Sequence, residues 1–388
     1  MSRKPKVLLV SQALAPAVGG STILLNNLFK YFEGEVLGIS GYPGSRTDAN
    51  FKPTFNTVYF NPPNIPFIGN YLKRYHDNLL RFIHPLIINR IVAQITSFNP
   101  DIVFSNCPDI DYFICAFQAA KKTNTPFYAH MHDLWEENHG PETYVGQMAI
   151  KWEKEILLSA KQVLCMTDIQ ARHYLKKYGI STKLLPHTIL DSDLEEGKLS
   201  FKRDFTKTAL FTGTVSKVMN QDALNVFSNA TKLLPNDIKV IMCTSTTHEL
   251  FSRIGIDSSK WDIKWMSRND VQDLQTKVGV LFAPLSHENG GMEEIRTVFS
   301  TKLLEYLVSG RPIVIFAPAD SYHSISASEG NWALVINKNS PELLAQKIQE
   351  LISDIALQEK LVENAFSEAR KRASSIHANE LLKLILTN

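Results

Sequence analysis

Residues 278–318 read VGVLFAPLSHENGGMEEIRTVFSTKLLEYLVSGRPIVIFAP, and the reading of this stretch decides the fold. Val278–Leu281 is a short apolar run that ends at Pro284, the pattern of a strand buried on both faces. Leu303, Leu304, Leu307 and Val308 recur at helical spacing, so a helix with one face on a core is predicted over Thr301–Ser309. Ser300 is placed to cap its start. Gly310 suits the left-handed residue just past its end, and Pro312 forbids continuation. Pro312–Phe316 is a second apolar run of strand length. Strand, long loop, helix, strand is the parallel crossover of an α/β protein.

The loop carries the chemistry. The pair Gly290-Gly291 lets backbone approach a ligand closely. Arg296 precedes the helix, and Ser300, Thr301 and Lys302 form its first turn. Free N–H groups, hydroxyls and a lysine together favour an anion. Glu305 lies one turn after Thr301 on the same face, where a carboxylate can accept two hydrogen bonds from a ribose diol. Diphosphate at the helix start and ribose one turn on would suit a nucleotide-sugar. The plain alternative is an ordinary capped helix with Lys302 and Glu305 in solvent.

The segment IRTVFSTKLLEYLVSGRPIVIFAP resembles the donor-binding segment of retaining, GT-B-fold glycosyltransferases of glycosyltransferase family four, closest to the branch reading "PTKLxEYLASGRPI". The resemblance implies a donor-binding role for Thr301, Lys302 and Glu305. Two departures stand out. Ser300 replaces the branch's usual Pro, and Thr297 stands where the broader family's Glu-x7-Glu motif has its first Glu. That Glu usually holds the donor sugar, so the contacts fall to other candidates: Glu288, Glu293, Glu294 and the Gly290-Gly291 backbone.

At 388 residues the chain exceeds one ordinary core, and two domains are expected. Its apolar and charged fractions are those of a soluble globular protein, and the net charge of +2 gives no nucleic-acid footprint. The cysteines Cys107, Cys115, Cys165 and Cys243 lie in no metal-binding spacing and read as buried thiols in a reducing compartment. The N-terminal MSRKPKVLLVSQALAP imitates a signal peptide, but Val7–Val10 is too short an apolar run and reads as the first strand. With no long apolar stretch, the expected location is cytoplasmic, or peripheral at the inner face of a membrane.

Working back from the key stretch, Ala209–Thr212 is a strand followed by Gly213-Thr214-Val215-Ser216-Lys217 and a helix from about Asp222. The family often has Gly-Arg here, with the Arg gripping the diphosphate. Thr214 replaces it, leaving Lys217, Lys302 and Arg296 to balance the phosphates. Lys239–Cys243 and Asp262–Trp265 read as strands, and Asn269 or Asp270 as the cap of a helix through Lys277. In the family, the loop matching Met266–Arg268 passes the nucleotide base. Downstream, Ser340–Ala373 is amphipathic and helical, and Ala378–Leu386 is a final helix.

The first half opens the same way, with strand Val7–Val10, a loop containing Pro16, Gly19 and Gly20, and a helix to about Tyr31. There is no G-x-G-x-x-G, which argues against a dinucleotide fold. The loop matches a family pattern in which Gly19 and Gly20 face the donor. Asp101–Ser105, Pro126–His130 and Gln162–Met166 are further strands, and Trp152–Ala160 and Asp168–Tyr178 are helices. Met131-His132-Asp133 resembles the family's "HD" segment, which implies that His132 contacts the donor sugar near the reacting centre, with His130 and Asp133 in support. Leu184–Thr188 resembles the hinge ending the first domain, and the polar run Asp191–Lys202 reads as linker surface.

Two further features bear on partners and metals. Phe67–Ile95 mixes large apolar residues with Lys73, Arg74, Arg81 and Arg90, which suits a membrane surface or a lipid-linked acceptor; a core helix with a solvated basic side is the plainer reading. Pro85 is expected to split it into two helices. The D-x-D runs Asp109-Ile110-Asp111 and Asp191-Ser192-Asp193 read as chance matches, and no metal site is expected.

The expectation is therefore an α/β GT-B protein with two Rossmann-like domains whose parallel sheets face across a cleft. Residues 1–187 form an acceptor domain, 188–372 a nucleotide-sugar donor domain, and 373–388 a helix crossing back to the first. The resemblance implies a retaining, metal-independent hexosyltransferase. It would use a UDP- or GDP-linked donor and a saccharide or lipid-linked acceptor, with no other cofactor, in surface polysaccharide or glycoconjugate synthesis. A sugar-nucleotide epimerase on the same fold and a non-catalytic scaffold protein are the rivals.

Overall fold

The computed structural model describes residues 3–17, 19–41, 47, 51–60, 73–107, 109–200, 206–289 and 292–387, without the side chains of 73–82 and 198–200. The chain divides into two compact units. One comprises Met1–Thr188 with Ser374–Asn388, the other Ile189–Ala373.

The first unit is built on strands β1 (Lys6–Ser11), β2 (Glu35–Gly41), β3 (Asn56–Phe60), β4 (Ile102–Cys107), β5 (Phe127–Met131), β6 (Gln162–Cys165) and β7 (Lys183–Leu184). Their order is β3-β2-β1-β4-β5-β6-β7, and every neighbouring pair is parallel. Alternation along the strands feeds two separate cores. Leu8, Val10 and Val103 enter one, and Val7, Leu9, Ile102 and Phe104 enter the other. The second core takes Leu25, Leu28 and Phe29 from helix Gly20–Lys30, and Ala378 and Leu381 from the last helix, Ser374–Thr387. Tyr128 Oη donates to the Leu384 carbonyl at 3.3 Å, which fixes the last helix on this sheet.

The second unit has β8 (Thr208–Thr212), β9 (Lys239–Cys243), β10 (Trp261–Lys264), β11 (Val280–Pro284), β12 (Ile313–Phe316) and β13 (Leu334–Ile336), in the parallel order β10-β9-β8-β11-β12-β13. In both sheets the strand order reverses next to the first strand, between β1 and β4 and between β8 and β11. Ligands of open α/β sheets bind at the carboxyl ends beside such reversals. These are two Rossmann-like halves, as the repeated strand, Gly loop and helix predicted.

Four expectations need correction. Asp191–Ser200 is a helix, not linker surface; Asp191 and Asp193 in its first turn complement the helix dipole. Pro85 does not split its segment, because Lys73–Phe98 is one continuous helix. The hydrogen bond lost at Pro85 is offset by burial of Ile83, Ile87, Ile88, Ile91 and Ile95 in the core, so this half of the helix is a core element. Membrane contact by Lys73, Arg74 and Arg81 concerns side chains outside the described set. Ser340–Ala373 is two helices, Pro341–Ser353 and Ile355–Lys371, broken where the Asp354 carboxylate caps the second through the Leu357 N–H. The helix Arg268–Gln275 is capped by Ser267 rather than by Asn269 or Asp270.

The loop after β5 is held by a charged cluster. Lys177 Nζ lies 2.9 Å from Glu136, 2.5 Å from Glu137 and 2.7 Å from Glu153, whose side chain is fully buried. Glu153 also accepts from Tyr178 Oη and from the Glu136 N–H. Burial pushes the Glu137 carboxyl up, but hydrogen bonds from His173 and Lys177 outweigh it and bring it down to about 2. Its stabilising effect is therefore complete above the ordinary carboxylate pKa and is lost as the pH falls toward 2. Replacing Lys177 by Met strands the Glu153 charge in the interior and should cost about 3 kcal/mol. Urea unfolding checks this, and an unchanged midpoint would contradict it.

Candidate functional site

In the second unit, the carboxyl ends of β8, β9 and β10 open onto a cavity of about 270 Å³. Gly213 and Thr214 line it after β8, Thr244 and Ser245 after β9, and Trp265 and Arg268 after β10. Thr301, Lys302 and Glu305, at the start of helix Lys302–Val308, form a further part of the wall.

That helix is pinned by Tyr306, which accepts from the Thr212 N–H at 3.1 Å and pairs with the Thr212 hydroxyl at 2.9 Å. Lys302 sits one turn before Tyr306 and so hangs over the same strand end. Its Nζ lies 4.6 Å from the centre of the buried Phe211 ring, a cation–π contact. Gly213 has φ +125°, which favours glycine, and a Cβ there would sit 3.4 Å from Lys302 Nζ. Lys302 has no carboxylate partner among the described residues. Burial therefore acts unopposed and lowers its pKa to about 8.

Glu305, on the next turn, is oriented by one face of helix Arg268–Gln275. Arg268 Nη2 donates to Oε1 at 3.2 Å and Gln275 Nε2 to Oε2 at 3.3 Å, with Gln272 at 3.5 Å. These are long bonds, so a hydroxyl pair entering the cavity can compete for the carboxylate. The first turn is tight: the N–H groups of Leu303 and Leu304 bond back to Ser300 and Thr301, while those of Thr301 and Lys302 have no described partner.

The predicted residues of this unit divide clearly. Thr301, Lys302 and Glu305 meet at the cavity. Ser300 does not cap the helix, since the cap position is Thr301 and no side chain caps it. The Ser300 N–H instead donates to Nε2 of His323 at 3.0 Å. His323 is fully buried and held to about 3 by burial and by the Lys302 and Arg372 charges, so it stays neutral and can accept. Arg296 is absent from the cavity wall because Glu293, at 2.9 Å, and Asp320, at 3.0 Å, hold it. Lys217 is exposed and also off the wall. Gly290 and Gly291 lie outside the described residues. The loop leading to them is latched, because the Asp222 carboxylate accepts the His287 and Glu288 N–H groups at 2.8 and 2.9 Å. Thr297 is buried and turns its hydroxyl to the Glu293 carbonyl.

Sequence reasoning missed Trp265, Thr244, Ser245 and His323. Trp265 is 80% exposed at the strand edge, a placement that apolar patterning does not reveal. His323 is a lone histidine in a helix and carried no signal.

In the first unit, Gly19 is the N-cap residue of helix Gly20–Lys30, with extended backbone, and both glycines are exposed. His132 follows β5 at the carboxyl edge and is buried. His130 and His187 pack on it edge-to-face, with ring centres 4.4 and 5.7 Å away. Burial raises the pKa of neighbouring Asp133. The two D-x-D runs are engaged elsewhere. Asp109 accepts from Ser11 and the Gln12 N–H, Asp111 accepts from His84 and Tyr144, and Asp191 and Asp193 sit on a helix. Among the described residues, no group of three or more His, Cys, Asp or Glu is placed to hold a metal ion.

The Glycosyltransferase Family 4 model matches residues 49–187, and the model for Glycosyl transferases group 1 matches residues 206–354. HepE from Anabaena, solved with UDP and glucose, aligns over 99% of this chain and 100% of its own, at TM-score 0.70 and 15% identity. Sucrose-phosphate synthase from Thermosynechococcus elongatus aligns over 99% of both chains at TM-score 0.68 and 12% identity. A glycosyltransferase from Rickettsia africae ESF-5 aligns over 99% of both at TM-score 0.67 and 16% identity. No curated protein matches by sequence. These structures establish the GT-B fold. With a glycosyltransferase model on each unit, the chain is a glycosyltransferase of the family-four type.

A half-buried ammonium without a counter-charge among the described residues is a cost in the free protein. Between pH 8 and the ordinary lysine value of 10.5 the unfolded chain holds the extra proton, so stability rises with pH across that window. Lys302→Met should therefore raise the Tm of the free protein at pH 7, by roughly 2–4 °C per kcal/mol gained. The gain should vanish above pH 10.5. A scanning-calorimetry series in pH measures it, and a lower Tm at pH 7 would contradict the assignment.

Proposed function

We propose that this glycosyltransferase takes a nucleotide-sugar as donor, binds its diphosphate at Thr301 and Lys302 and its ribose at Glu305, and transfers the sugar with retention to a saccharide or lipid-linked hydroxyl. One observation carries this reading: the Lys302 ammonium is half-buried, has no carboxylate partner among the described residues, and faces the cavity at the carboxyl edge of the sheet. A diphosphate supplies the missing charge. The developing charge on the leaving phosphate falls on the same ammonium, so chemistry without a metal is the expectation. Glu305, with its bonds to Arg268 and Gln275, suits a diol. Trp265 offers an exposed indole face on the cavity rim for the base. His132 contacts a hydroxyl of the donor sugar.

HepE of Anabaena has been solved with UDP and with UDP-glucose, which supports a uridine donor as the first to try. The helix Lys73–Phe98 gives half its length to the core, and no helix among the described residues is long and apolar enough to cross a membrane.

Calorimetric titration of UDP, GDP, ADP and CMP in EDTA tests the site. One nucleotide should bind, and Lys302→Ala and Glu305→Ala should each weaken it about 10-fold or more, as expected for charged hydrogen bonds worth about 1.5–3 kcal/mol. Trp265→Ala should weaken the same nucleotide and leave inorganic diphosphate unaffected. Binding that needs added Mg²⁺, or that ignores both Lys302 and Glu305, would overturn the reading. Proton NMR of the first-formed product anomer tests retention.

A further inference from the structure

The hydrogen bonds around His132 have a direction that fixes its protonation. His130 Nε2 lies 3.0 Å from the Leu185 carbonyl oxygen, which can only accept, so His130 Nε2 carries a hydrogen. His130 Nδ1 lies 3.1 Å from His132 Nε2, and a single hydrogen must lie between those two nitrogens. Either His130 is an imidazolium donating to a bare His132 Nε2, or neutral His130 accepts from His132 Nε2–H.

Surroundings decide between them. His130 is buried, with its ring edge-on to Phe104, and no carboxylate of a described residue contacts it. Burial lowers its pKa to about 4, against the small opposing effect of the Leu185 bond. The cavity beside the pair, under Leu24, Leu25 and Leu28, holds about 10 Å³, room for no more than a water. Nothing there can compensate an imidazolium. His132 is likewise pushed well down, by burial and by its two histidine neighbours. Its Nδ1 makes no hydrogen bond to a described residue, and it is not one of the buried unpartnered atoms, so it opens toward solvent.

We infer that His130 is a positioning residue that locks His132 as the Nε2–H tautomer, so that His132 presents a bare Nδ1 to substrate. This rests on the reading of His132 as a sugar contact and makes it specific. His132 then accepts a hydrogen bond from a sugar hydroxyl; it does not donate to a ring or leaving-group oxygen. The chain Leu185 carbonyl, His130, His132 is anchored on backbone, since the Leu185 N–H is itself bound to the Cys165 carbonyl at 2.8 Å. The ring of His132 is thus fixed in orientation as well as in protonation.

Long-range ¹H–¹⁵N NMR of the parent protein at pH 7.5, without substrate, reads the tautomer directly. His132→Gln identifies its signals. The expected pattern is a protonated Nε2 and an unprotonated Nδ1 on His132. A protonated Nδ1, or a charged ring, would overturn the proposal whatever the enzyme does. His130→Asn keeps an acceptor for His132 and should hold the tautomer and most of kcat; His130→Phe should give a tautomer mixture and lower kcat 10-fold or more with little change in donor KM. Equal kcat in the two variants, with both folded, would also overturn it. If the tautomer is as expected but His132→Gln leaves turnover intact, the sugar-contact reading of His132 fails while the locked tautomer stands.

Discussion

Everything in the second unit that concerns a ligand depends on one unbalanced charge. Lys302 hangs over Phe211 and beside Gly213 because Tyr306 ties its helix to the last residue of β8. No carboxylate of a described residue reaches it, while Arg268 is held by Glu305 and Arg296 by Glu293 and Asp320. Carboxylates nearby are equally committed, with Asp222 accepting two backbone N–H groups. The cation is thus left without a counter-charge among the described residues, at a cost that an arriving anion would relieve. On the proposed function, the stability given up in the free protein reappears as affinity for a phosphate-bearing ligand.

The two units solve different problems with the same sheet. In the second, an ammonium and a pre-oriented carboxylate stand one turn apart on a short helix. In the first, buried imidazoles are bonded in series to a backbone carbonyl, and neutrality rather than charge is enforced. The Lys177 cluster after β5 serves that second purpose too. By joining Glu136 and Glu137 to buried Glu153, it fixes the loop that begins at His132.

Legibility followed burial. Strands such as β1, β8 and β12 are apolar on both faces and stood out as short runs between turns. Strands β2 and β3 sit at one side of their sheet with half-exposed residues such as Val36 and Val58, and β13 has three residues; none has a pattern separable from loop. Pro85 misled because its effect is local, whereas the isoleucines that hold the helix together act through tertiary packing. The helix carrying Thr301, Lys302 and Glu305 was readable because spacing along one helix is fixed by geometry. The engagement of Arg296 was not readable, because its charge is visible in sequence and its pairing with Asp320, 24 residues on, is not. His323 escaped for the same reason: it accepts a hydrogen bond from Ser300 across a gap in sequence.

The most direct test is the pKa of Lys302 itself, followed by NMR of ¹³C-labelled lysine side chains in the free protein and with saturating UDP, with Lys302→Arg to assign the signal. The account predicts a value near 8 in the free protein. It also predicts a clear rise when the diphosphate supplies the counter-charge. An ordinary value of 10.5 in the free protein, or one that UDP and the other nucleoside diphosphates leave unmoved, would contradict it.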